Sequence, residues 1–157
     1  MSFDAAFKHI IEVEGGLVEH PNDPGGLTKY GISQRAYPGE NIRELTLERA
    51  KEIYRRDYWS RIRGDELPAG VGLCLFDYAV NSGVSQAVRT LQRVLGVTID
   101  GSFGPATLAA VMARPTRALI VDLQAERLLF LARLTTFDTF GRGWTRRILS
   151  TALEAIV

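Results

Sequence analysis

Cysteine is almost missing from this chain: Cys74 is the only one in 157 residues. No internal disulfide can form, which excludes a disulfide-stapled fold and leaves no mark of an oxidising compartment. Cys74 sits in the apolar run Val71-Gly72-Leu73-Cys74-Leu75-Phe76, where a thiol reads as a small buried hydrophobe. Histidine is scarce as well. His9 and His20 have no partner at metal-ligand spacing, so no metal site is expected, and no glycine pattern precedes a phosphate-binding helix. Charge of one sign is lacking, since the net charge is +1, and with it the field that would announce nucleic acid or a membrane surface. No apolar run reaches the roughly 18 residues of a membrane span, so no membrane insertion is expected. Met1 to Ile11 has no basic stretch followed by a long apolar one, so it does not read as a secretory signal. Synthesis in the cytoplasm is the expectation. No Ser- or Pro-rich linker and no internal repeat divides the sequence.

What is present is ordinary globular usage, 46% hydrophobic and 24% charged, with a length that fits one domain. Charge is uneven along the chain: residues 1–39 net −2 and residues 114–157 net +3. The pattern is mostly helical. Ser2 is placed to cap a first helix whose apolar face runs Phe3, Phe7, Ile10 and then Glu14, and Gly15-Gly16 stops it. Asp23-Pro24-Gly25-Gly26 has the residues of a tight turn. Leu17–Glu19 and Thr28–Tyr30 become the arms of a small hairpin, the only strands expected.

Thr46 caps a second helix with Leu47, Ala50, Ile53, Tyr54 and Tyr58 on one face. Residues 68–81 are apolar nearly all round and predict a central, buried helix ended by Asn81-Ser82-Gly83. An amphipathic helix from Ser85 to Leu95 stops at Gly96, and Pro105 begins a short helix. The longest helix is expected over Thr116–Thr135, and a last one from about Phe140 to Ile156. The architecture is therefore a mainly α, compact unit with a small N-terminal β-hairpin. Arg142, Arg146 and Arg147 around Trp144 have the charge to bind a polyanion, but read first as a solvated cationic helix face. Asp77, inside the most apolar helix, is expected to bond a neighbouring backbone or Arg group.

Glu14 is the residue that fits least with a purely structural reading. It falls on the apolar face of the first helix and at its C-terminal end, where the helix dipole and a low dielectric both favour the protonated carboxyl of a general acid. Asp23 follows nine residues later and Thr28 five after that. A helix-end Glu and a hairpin bearing Asp and Thr can converge on a cleft. Glycosidic hydrolysis needs such a set: a protonated carboxyl at the leaving oxygen and an ionised one across the sugar. Sugar rings stack on aromatic faces, which makes Tyr30, Tyr54, Tyr58, Trp59 and Tyr78 candidate contacts, with Asn81 and Ser82 as polar partners.

Glu14-Gly15-Gly16-Leu17 and Pro21 to Ser33, which contains Asp23-Pro24-Gly25-Gly26-Leu27-Thr28, resemble the N-terminal signature of glycoside hydrolase family 108. Tyr54-Arg55-Arg56-Asp57-Tyr58-Trp59 and Phe76 to Gly83 are similar to further family segments. Leu91 to Val97 and Asp100-Gly101-Ser102-Phe103-Gly104-Pro105-Ala106-Thr107-Leu108 resemble the peptidoglycan-binding segment that accompanies it. The resemblance spans about residues 5–150; Leu17 stands where the family carries an aromatic.

The resemblance implies a lysozyme-like N-acetylmuramidase of the phage-endolysin type. It implies Glu14 as the acid and, through the order of tailed-phage lysozymes, supporting roles for Asp23 and Thr28. It divides the chain into a catalytic part, 1–92, and a helical peptidoglycan-binding-like part, 93–157, packed into one globule. Peptidoglycan is the expected partner, the protein is expected to be a monomer, and side-chain acid–base chemistry needs no cofactor. Without a signal, a holin, lysis or a dedicated secretion route would bring the enzyme to the wall. The alternative is a non-catalytic wall-binding or secretion-accessory protein on the same fold. The separation of Glu14 and Asp23 on different elements leans toward a water between them and an inverting reaction.

Overall fold

A computed structural model describes residues 1–19 and 26–157. Helix α1, Phe3–Glu14, starts where Ser2 accepts a hydrogen bond from Ala5 N and ends at Gly15, whose φ is 73°. The apolar spacing expected of it buries Phe3, Ala6, Phe7 and Ile10. Strands β1, Val18–Glu19, β2, Leu27–Lys29, and β3, Ile32–Ser33, then form an antiparallel sheet in that order.

The third strand was not expected from the sequence, and its cause is local. Tyr30 and Gly31 both take positive φ, 51° and 76°, and Lys29 pairs with Ile32 across them. This is the two-residue hairpin turn whose twist matches its strands. Tyr30 is therefore a turn residue and not the end of a strand. A left-handed Tyr is unusual, and it is tied down: the Tyr54 hydroxyl donates to the Tyr30 carbonyl at 2.8 Å. Gly31 has to be glycine for a second reason. A Cβ there would collide with the Tyr54 hydroxyl and lie 2.9 Å from Glu14 Cγ.

Helix α2, Leu47–Tyr54, is capped by the Thr46 side chain, which accepts from Arg49 N. Leu47 is nonetheless exposed. Past Tyr54 the chain widens into a π-turn over Arg55–Trp59, followed by a tight turn at Ser60–Ile62. A π-turn shifts the periodicity by about one residue. Trp59 instead of Tyr58 thus enters the core, and Tyr58 stays half-buried at the edge.

Helix α3, Ala69–Ser82, is the buried axis predicted from its all-round apolar sequence, with every residue from Gly70 to Ala79 buried. Burial holds the Cys74 thiol up at about 12. Four further helices follow: α4, Val84–Leu95; α5, Pro105–Met112; α6, Thr116–Ala132; and α7, Phe137–Ile156. With 20 residues α7, not the 17-residue α6, is the longest. Between α4 and α5, the buried Gln92 organises the Asp100 turn. Its Nε2 donates to Asp100 Oδ1 at 2.8 Å and its Oε1 accepts from Gly101 N at 2.9 Å.

Packing joins front and back. One hydrophobic cluster runs from Phe3 to Leu123. Gly70 of α3 is covered so closely that a Cβ would collide with the Ala155 carbonyl of α7 and lie 2.7 Å from Ile120 Cδ1 of α6. The division at 92/93 falls inside α4. Ending the chain after Leu95 strips α6 and α7 from the buried axis. The 1–95 fragment is expected to be insoluble, or to melt without a cooperative transition by circular dichroism. A soluble fragment with a sharp melt would show that the two parts fold separately.

Candidate active site

Glu14 closes α1 and turns toward the hairpin turn at Tyr30-Gly31, whose glycine packs against its Cβ and Cγ. Its Oε1 accepts a hydrogen bond from Arg147 Nη1 at 2.8 Å. Among the described residues Oε2 accepts none, so one oxygen of the carboxyl is held and the other has no described partner. The side chain is 23% exposed, enough to be reached from outside.

Arg147 comes from α7, at the far end of the sequence. It corrects the expectation that Arg142, Arg146 and Arg147 form one solvated face: Arg147 is 12% exposed and turned inward. Its Nε donates to Asp77 Oδ1 at 2.9 Å. Asp77 Oδ2 accepts from Arg127 Nη1 at 2.7 Å and from Thr151 Oγ1 at 3.3 Å. Arg127 Nη2 also reaches Asn81 Oδ1 at 3.3 Å, and His9 Nε2 lies 3.0 Å from Thr151 Oγ1. Asp77 and Arg127 are wholly buried. The expected Arg partner of Asp77 is thus two arginines.

Burial alone would raise the Asp77 carboxyl, but Arg127 and Arg147 overcome it and hold the group below its ordinary range. Burial likewise opposes the charge on Arg147, and Asp77 and Glu14 outweigh it. The chain of charges therefore runs from the core, Arg127–Asp77–Arg147, outward to Glu14. The signal for this network was in the sequence, in Arg127 on the apolar stripe Ile120, Leu123, Leu131 and in Asp77 within α3. Only the fold shows that both meet Arg147.

The expected aromatic contacts divide into two groups. Tyr54, Trp59 and Tyr78 are core residues, at most 1% exposed, and do not offer faces to a sugar. Trp59 packs edge-on to Phe76 at 5.3 Å and donates its indole N–H to Asp65 Oδ1 at 2.8 Å. Tyr78 is hydrogen-bonded with Thr90 at 2.9 Å beneath the Arg127 guanidinium. Tyr54 buttresses the hairpin turn. They looked like sugar platforms because aromatic spacing alone does not separate a core ring from a cleft ring.

Tyr30, Tyr58, Asn81 and Ser82 are half-buried. Tyr58 stacks at 5.5 Å on Tyr54 and borders a groove of about 380 Å3 with Tyr37, Asp57, Arg61 and Gly83. Burial pushes the Tyr58 phenol up; the Tyr37 hydroxyl beside it pulls the other way, and the charges of Asp57 and Glu14 add to the rise. Tyr54 rises through burial and the Glu14 charge. Both are therefore neutral hydrogen-bonding groups at working pH. Thr28 lies in the central strand between Val18 and Ser33. Asp23 and His20 lie outside the described residues.

A helix-end carboxyl with one oxygen bonded and the other without a partner among the described residues, a hairpin against it and a groove alongside are the features this region brings together. Comparison with known proteins identifies the family. Residues 7–83 match the family model described as Glycosyl hydrolase 108, and residues 86–149 match a Predicted Peptidoglycan domain. The chain is similar to the protein in "Structure of Brucella abortus SagA", with 42% identity and a TM-score of 0.90, over 98% of this chain and 93% of that one. No curated protein matches. The chain belongs to glycosyl hydrolase family 108, and is a glycoside hydrolase acting on peptidoglycan.

The buried network predicts acid sensitivity. Because Asp77 is held below its unfolded value, its contribution is fully present above about pH 4 and is lost as pH falls through the folded value. Asp77→Asn leaves two arginines facing no buried carboxylate and is expected to cost about 3–5 kcal/mol. Urea unfolding at neutral pH would measure this. Repeating it from pH 5 downward should show a shallower acid loss in the variant than in the wild type.

Proposed function

We propose that the protein is an N-acetylmuramidase that hydrolyses the β-1,4 bond between N-acetylmuramic acid and N-acetylglucosamine, with Glu14 as general acid. The observation that carries the reading is the Glu14 carboxyl at the end of α1, anchored through Oε1 and with no partner for Oε2 among the described residues. Oε2 is the oxygen that would carry the proton to the glycosidic oxygen, while Arg147 fixes the plane of the carboxyl. Asp23 and Thr28 would hold the attacking water on the other face of the ring, giving inversion. Peptidoglycan-directed chemistry without a cofactor fits release of the enzyme to the wall by a phage holin, by lysis or by a dedicated secretion route. An endolysin is the context we favour, and a monomer is its simplest form.

Glu14→Gln keeps the size and the contact to Arg147 but cannot donate the proton. Its lytic rate is expected to fall about 100-fold or more, with the melting temperature little changed. Mass spectrometry of wild-type digests should find muramic acid at the new reducing ends. Glucosamine there, or near-normal lysis by Glu14→Gln, would overturn the reading.

Thr28→Val preserves shape and removes the hydroxyl. It is expected to reduce turnover while leaving the melt intact, and NMR of early products from the wild type should show the α-anomer first. An initial β-anomer would mean retention and would exclude this role for Asp23 and Thr28.

A further inference from the structure

The groove next to Glu14 carries a charge that cleavage does not use. The π-turn and the tight turn after α2 bring Asp57, Tyr58 and Arg61 to its wall, and Tyr37 and Gly83 face them. Asp57 is fully engaged. Its Oδ1 accepts from Arg56 Nε at 2.7 Å, and its Oδ2 from Arg56 Nη2 at 2.9 Å and the Tyr37 hydroxyl at 2.8 Å. Arg56, and against burial also Tyr37, keep this carboxyl below its ordinary range, so it is a fixed anion already matched by one cation. Arg61 is exposed and forms no hydrogen bond or close ion pair among the described residues; it acts on Asp57 only through space. Counting Asp57, Arg56 and Arg61, the groove carries one positive charge with no pairing carboxylate among the described residues, beside a tyrosine wall. Glu14 does not cancel it, being paired with Arg147.

A neutral sugar has no use for that charge. A carboxylate has, and guanidinium is the side chain that binds one in a fork. In the glycan this enzyme acts on, carboxylates belong to one of the two alternating sugars: muramic acid bears a lactyl carboxyl, free or extended by an acidic peptide. We propose that this groove is the subsite for the carboxylate-bearing muramyl residue, and that Arg61 selects it by pairing with that carboxylate. The groove lies one ring from the acid, since Tyr58 stacks on Tyr54, and Tyr54 and Glu14 both abut Gly31. The proposal rests on the muramidase reading of the Glu14 site and adds the residue that distinguishes the two sugars.

Binding is best read in the Glu14→Gln protein, which does not consume its ligand, with and without Arg61→Gln or Arg61→Lys. Three probes are titrated by calorimetry: a peptide-bearing muramyl tetrasaccharide, the same glycan with its peptides removed, and neutral chitotetraose. Arg61→Gln should weaken the acidic glycan about tenfold, Arg61→Lys less, and chitotetraose should be unaffected. Loss confined to the peptide-free glycan assigns the lactyl carboxylate, which is an amide in the peptide-bearing probe; loss confined to the peptide-bearing probe assigns the carboxylates of the peptide, and loss on both shows that Arg61 accepts either. Equal loss on chitotetraose, no loss on any probe, or no binding of acidic glycan by the Arg61 protein overturns the proposal. Digest products decide the muramidase reading separately, so the two can fail independently.

Discussion

Asp77 has no contact with solvent and sits between two guanidinium groups, and the geometry of the site depends on that one charge. Two buried arginines facing each other would be intolerable, and an unpaired buried carboxylate nearly so. Together they close a network in which Arg127 secures Asp77 and Asp77 secures Arg147. Arg147 is thereby fixed at the edge of the core with its direction set, and Glu14 meets it there. An acid at a frayed helix end would otherwise sample many rotamers; here one of its oxygens has a fixed partner.

The network also explains why a catalytic segment and a peptidoglycan segment occupy a single body. The family models divide the chain between residues 83 and 86, yet Asp77 comes from the first part and both its arginines from the second. The hydrophobic cluster crosses the same line. A helix as apolar as α3 has no face suited to water, and α4, α6 and α7 cover what α1 and the aromatic residues after α2 leave open. The second segment is thus a structural part of the Glu14 site, since it supplies both arginines of the network.

On the other side of Glu14, the hairpin is held by a small set of close contacts. Tyr54 reaches out of the core to the Tyr30 carbonyl, and Gly31 gives Glu14 the room it occupies. The π-turn after α2 makes this possible: it sends Trp59 inward to the aromatic core of Phe3 and Phe76 and leaves Tyr58 and Arg61 at the groove. One irregular turn therefore separates residues that pack from residues that line the groove.

Much of this was legible from residue order. Ser2, Thr46, Gly15, Gly83, Gly96 and Pro105 mark helix ends by capping and backbone chemistry, which act within a few residues and so can be read locally. The all-round apolar α3 and the buried Cys74 followed from hydrophobicity alone. Glu14 was visible because a carboxylate on an apolar helix face has few reasons to be there. What only the tertiary structure decided depends on distances that sequence does not carry. Arg147 looked like its neighbours Arg142 and Arg146 until α7 packed against α3. Tyr54, Trp59 and Tyr78 had the chemistry of sugar contacts and became core, because a half-turn of rotation sets which side of an aromatic helix is buried. The third strand depended on a Tyr in a left-handed turn, a conformation disfavoured locally and held in place by a hydroxyl 24 residues away in the chain.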